Sequence, residues 1–109
     1  MPQIGEAGPI KYASGTATAD GAWATPLIAA VTGRKLRVLA ITITVLTAAG
    51  TVALAGSGTT WTAHLEIGVP YVQVGNLGNP IYETASGVAL TPSNGTNVDS
   101  FINTSYVEV

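Results

Sequence analysis

Alternation of apolar and small polar residues runs through most of this chain. In "GRKLRVLAITITVLTAAGTVALAG", residues 33–56, Leu39, Ile41, Ile43 and Val45 fall on one face of an extended segment, while Ala40, Thr42 and Thr44 fall on the other. A period of two is that of a strand. The β-branched residues at 38, 41, 43, 45 and 52 fit a pleated sheet and disfavour a helix by restricting χ1. Gly50, within "TAAGT", predicts a short hairpin turn, after which Val52 and Leu54 resume the alternation.

The same grammar recurs. "YASGTAT", "TPLIAAVTG", "YVQVG", "IYET" and "GVAL" read as short strands, and "VDSFINTSYVEV" as a long last one. In "TTWTAHLEIG", Trp61, Ala63, Leu65 and Ile67 share an inner face, opposite Thr62, His64 and Glu66. "GNLGNP" and "TPSNGTN" read as loops. The expected fold is all-β: a single-domain jelly-roll-like β-sandwich of about eight strands, because one open sheet this apolar would leave its faces wet. A barrel is the next option.

The N-terminal "MPQIGEAGPIKYASG" is too rich in Pro and Gly for a helix and lacks the basic start and apolar core of a secretion signal, so the chain is read as unprocessed. Residues 1–12 are expected to form an extended arm, docking through Ile4, Ile10 and Tyr12, ahead of a β-sandwich over 13–109.

The uncharged run from Val38 to Ala55, behind Arg34, Lys35 and Arg37, is long enough to raise a transmembrane reading. Its period of two and mid-run turn signal speak against that reading. Charged residues make up 9% of the 109, with a formal net charge of −2 and no cysteine. That excludes disulfides, thiolate metal sites and a thiol nucleophile, and a surface with so little charge calls for a covering partner.

Little resembles catalytic chemistry. His64, the only histidine, sits with Glu66 on a strand face as two possible ligands or as an outward polar pair. Glu6, Asp20, Glu66, Glu83, Asp99 and Glu108 are scattered, "GSG" lacks the Lys of a phosphate loop, and no Ser sits in a nucleophile elbow. Glycosylation-like patterns occur at Asn94 and Asn103. No enzyme activity and no cofactor are expected. Arg34, Lys35 and Arg37 read as solvated, as a protein contact, or as a minor nucleic-acid patch that the acidic net charge disfavours. Trp23, Trp61 and Tyr71 are candidates to stack on sugar rings, with burial of Trp61 the alternative.

Taken together, "GRKLRVLAITITVLTAAGTVALAGSGTT", "YETASGVAL" and the terminal "YVEV" resemble a group of small tailed-bacteriophage structural proteins. In these a Gly-Lys-Arg-Val-Leu type strand precedes an Ala-Gly-Thr-Val hairpin, and the chain ends on a Tyr-Val-Glu-Val strand. The likeness runs roughly from Ala13 to Val109 and rests on strand and turn patterns; "IGVPYVQVGNLGNPI" departs from it in aromatic and Gly content. The resemblance implies a capsid decoration, or cement, protein: a homotrimer on the virion surface whose partner is the major capsid protein, with no nucleic acid and no membrane involved. A tail or fibre-attachment component, a carbohydrate-binding β-module and a small membrane protein are the alternatives.

Overall fold

The longest strand carries more apolar residues inward than a simple alternation allows. Leu36 and Val38 occupy even positions and Ile41, Ile43 and Val45 odd ones, yet all five are fully buried. An extra residue at Leu39 reconciles them. In the pairing with the C-terminal strand, Val38 lies opposite Tyr106 and Ala40 opposite Ser105, so Leu39 is a β-bulge that resets the parity. Leu39, expected inside, is therefore half-buried at the bulge.

The structure is a computed structural model and describes residues 9–17, 21–45, 48–58, 60–95 and 98–109. Among these residues there is no helix, and the nine strands are β1 (Lys11–Ala17), β2 (Gly21–Ala22), β3 (Leu36–Val45), β4 (Gly50–Ala55), β5 (Thr60–Leu65), β6 (Tyr71–Val74), β7 (Tyr82–Glu83), β8 (Thr91–Asn94) and β9 (Ser100–Glu108). They form two antiparallel sheets. One has the order β1-β9-β3-β6, with β7 also paired to β3; the other has the order β2-β8-β4-β5. The pairs nest: β1 with β9, β2 with β8, β3 with β6, and β4 with β5. The core lies between the sheets, where Ile41, Ile43 and Ile102 from one join Val52, Leu54 and Leu65 from the other.

Several sequence expectations are corrected. Gly50 does not turn a hairpin: β3 and β4 belong to different sheets, and Gly50 lies within β4, where a Cβ would come 2.5 Å from Val98 Cγ2. The glycine serves close packing instead. "TPLIAAVTG" forms no strand, only an isolated bridge from Ile28 to Leu90, and "GVAL" is likewise outside the strands. The strand occurs one step later, in β8, despite Pro92. The Pro92 carbonyl accepts from Trp23 N at 2.8 Å, and because a strand residue's N–H and C=O point to the same side, its missing donor faces that side too. The ladder to β4 keeps its bonds. Ile67 lies beyond the end of β5 and is 54% exposed.

One buried polar cluster ties the sheets together. Asn94, 3% exposed, accepts from Trp23 Nε1 at 2.9 Å and from Ser100 Oγ at 2.7 Å, and donates to the Val98 carbonyl at 2.9 Å. Asn94→Ala would strand these groups in the interior, at about 1–3 kcal/mol for each unpaired one. We expect a loss of roughly 2–4 kcal/mol in urea unfolding, whereas Ser14→Ala on the exposed face should change stability by less than about 0.5 kcal/mol. Equal behaviour of the two variants would show that the cluster is not a structural anchor.

Candidate protein-interaction face

The outer face of the five-stranded sheet is built from residues that alternate with the core. Tyr12, Ser105, Ala40 and Val74 form one cross-strand row; Ser14, Asn103, Thr42 and Val72 form the next; Thr16, Phe101 and Thr44 form the third. None of these positions is charged. The centre is small and polar, the β6 margin carries two exposed valines, and the β1 margin carries Tyr12 beside the polar Ser14 and Thr16. Tyr12 on β1 is 80% exposed, and Val72 and Val74 on β6 are 62% and 74% exposed.

The polarity of β6 runs opposite to what its composition invites. Its register sets Gln73 beside Ile41 and Tyr71 beside Ile43, so the amide and the phenol turn inward and the two valines outward. Donation from Tyr71 Oη to Gln73 Oε1 at 2.6 Å satisfies both polar ends. The Tyr71 ring meets Trp61 edge to face, with centroids 5.7 Å apart.

Next to this face lies a charged end. Arg37 Nε donates to Glu83 Oε2 at 2.6 Å, and its Nη1 to the Leu77 carbonyl at 2.9 Å. Lys35 Nζ stands 3.8 Å from the other Glu83 oxygen. The Leu77 carbonyl sits on an excursion between β6 and β7 whose two ends are held by the bulge: Gly75 N donates to Leu39 O and Ile81 N to Val38 O. Arg37 thus fastens the tip of a loop rooted on its own strand. On the far edge Lys11 donates to Glu108 at 2.8 Å, and that bond, with the carboxylate's charge, raises the ammonium pKa.

Of the residues singled out in the sequence, Ile4 lies outside the described residues. Ile10 is 56% exposed just before β1, and Tyr12 belongs to β1 itself, paired with Ser105. β1 begins at Lys11, ahead of the expected boundary at Ala13. Arg34 follows a turn in which Gly33 takes a φ of 73°, is exposed, and makes no ion pair among the described residues. Lys35 and Arg37 converge on Glu83, apart from Tyr12. Sequence reasoning missed Glu83 as their partner and Val72, Val74 and Phe101 as surface groups. The only available signal was the alternation in "YVQV", which defines two faces without saying which is inside.

Other candidates carry less. Trp23 is buried, and Trp61 and Tyr71 are half-buried against each other, so the three form no open stacking platform. His64 and Glu66 are exposed, and among the described residues no three His, Cys, Asp or Glu side chains gather as metal ligands. Asn94 is an internal hub rather than a glycan acceptor site. A shallow depression of about 130 Å³ lined by Tyr12, Ala13, Ser14 and Asn103 is smaller than the ~300 Å³ at which ligand pockets begin. Among the described residues no helix is long and apolar enough to cross a membrane. No family model matches the sequence, and no curated protein matches it significantly.

The Arg37 geometry generates a measurable expectation. Both side chains are partly sheltered, at 27% and 28% exposure, so Arg37→Met should cost about 1–2 kcal/mol in urea unfolding, with faster hydrogen exchange at the Gly75 and Ile81 amides. Glu83→Gln added to Arg37→Met should cost little more, because the pair is already broken. Fully additive losses would argue that the two residues act separately.

Proposed function

We propose that this chain is a non-enzymatic structural protein of a tailed-phage virion, a capsid decoration protein that binds the head surface as a homotrimer. The observation that carries this reading is the uncharged outer face of the five-stranded sheet: rows of Ser, Thr, Asn and Ala bordered by exposed Tyr12, Val72 and Val74. A face so poor in charge suits a protein partner with a similarly uncharged surface. The nested strand pairing, in which the first strand pairs the last and the second the next to last, supports a jelly roll, with β7 as an added short strand. The sequence resemblance points the same way.

In this reading the segment before β1 anchors the subunit to its neighbours through Ile4 and Ile10. Burial of each aliphatic anchor would contribute roughly 1.5–3 kcal/mol before the cost of ordering the backbone. Repetition over a symmetric lattice multiplies the gain. Since β1 starts at Lys11, removal of residues 1–10, both anchors included, leaves every described strand intact.

The test is occupancy on heads of the virus that encodes the chain, for full-length and truncated protein at matched concentration, with thermal melting of each as a folding control. Full-length protein should saturate regular surface sites visible by electron microscopy. Truncated protein should melt within a few degrees of it and bind at least tenfold more weakly. No binding of the full-length chain to heads would overturn the decoration role, and equal occupancy of both forms would remove the anchoring role of the segment.

A further inference from the structure

We infer that the two margins of the outer sheet face meet between copies, the β6 margin of one subunit packing against the β1 margin of the next in a closed head-to-tail ring. The number three rests on the assembly proposed above; the contact itself rests on the face. Residues 67–82 carry no charge, and within them Val72, Val74 and Leu77 are 62%, 74% and 46% exposed, and Ile67 and Val69, in the segment before β6, 54% and 59%. Counting ~60–120 Å² for each fully exposed aliphatic side chain, the ridge presents on the order of 300 Å² of apolar surface. That is the size of the largest apolar patch on a typical monomer, which is often functional.

The opposite margin supplies a receiver. Tyr12 is 80% exposed in the same cross-strand row as Val74, while Phe101 lies two rows further on neighbouring β9, beyond Ser14 and Asn103. Different exposed groups on opposite edges, the two valines of β6 and Tyr12 of β1, suit a head-to-tail contact; a two-fold contact needs only one patch meeting itself.

Backbone direction agrees. β1, β9, β3 and β6 alternate in direction, so β6 of one copy set beside β1 of the next continues the antiparallel order, and both are edge strands. Neither edge is defended by a charge or proline within β6, and β1 has only Lys11, held by Glu108. The ridge falls short of the ~800 Å² per partner of a standard interface, so the flanking Thr and Ser rows must be covered as well. A ring relaxes the demand, because each subunit is held at two edges.

The absence of cysteine makes the test direct. Val74→Cys and Tyr12→Cys variants are purified separately and treated with a short bis-maleimide, alone and mixed. The mixture should give a cross-linked dimer, at least tenfold above either variant alone. A chain carrying both substitutions should give a ladder that stops at three. Cross-linking of Val74→Cys alone as readily as the mixture would show a two-fold contact and overturn the proposal, as would a ladder running past three. Unmodified protein should sediment as a trimer, and Val72→Glu with Val74→Glu should raise its dissociation constant at least tenfold while leaving the melting profile of the monomer in place. A wild-type chain that stays monomeric at high concentration and forms no cross-link overturns the ring even if the protein decorates heads, whereas trimers that fail to bind heads would leave the ring standing and remove the decoration role.

Discussion

The bulge at Leu39 is the constraint on which the architecture turns. β3 lies between β9 on one side and β6 with β7 on the other, so its facing decides the facing of its neighbours. Without the extra residue, either Leu36 and Val38 or Ile41, Ile43 and Val45 would point to solvent, and at roughly 1.5–3 kcal/mol for each exposed side chain neither arrangement is tolerable. The bulge also spaces the carbonyls of Val38 and Leu39 so that they hold the two ends of the 75–81 excursion. From one inserted residue follow the full core, the gap between β6 and β7, and the place where Arg37 reaches Leu77.

That geometry explains why an aliphatic ridge lies outside. Once β6 is registered on Ala40 to Ile43, its inward positions must be Tyr71 and Gln73, whose polar ends satisfy each other, and Val72 and Val74 are left on the surface. An isolated monomer gains nothing from two exposed valines on an open edge, and the arrangement invites pairing with another chain. The proposed ring would cover this ridge.

Much of the fold was legible in the sequence because alternation reports directly on strands with one buried face. The strand from 39 to 45, β5 and β9 were all visible in this way. What escaped was set by distant contacts. Gly50 resembles a turn residue, but its lack of a side chain is needed against Val98, 48 positions away. Pro92 argues against a strand until its missing donor is seen to face β2 rather than β4. For the candidate face, the basic cluster at Arg34, Lys35 and Arg37 was plain, but its engagement with Glu83 depends on β7 lying beside β3. Tyr12 was expected in the arm as an anchor and proves to be part of a strand, its backbone held by pairing with Ser105 and its ring 80% exposed.

The distribution of charge bears on how such a subunit finds its neighbours. Only ten of the 109 residues are charged, four basic and six acidic, and three of the basic ones are engaged inside the subunit: Lys11 with Glu108, and Lys35 and Arg37 with Glu83. Little unpaired positive charge is left to steer an encounter. The association proposed through the uncharged face would then depend on apolar burial and on edge-strand geometry, both of which act at contact distance. Such contacts form at ordinary, unsteered rates and are nearly insensitive to ionic strength, and salts excluded from the protein surface strengthen them. In the proposed ring specificity would come from shape: the rows of Tyr12 and Val74 must align, because a shift of two residues along β1 would set Ser14 in the place of Tyr12.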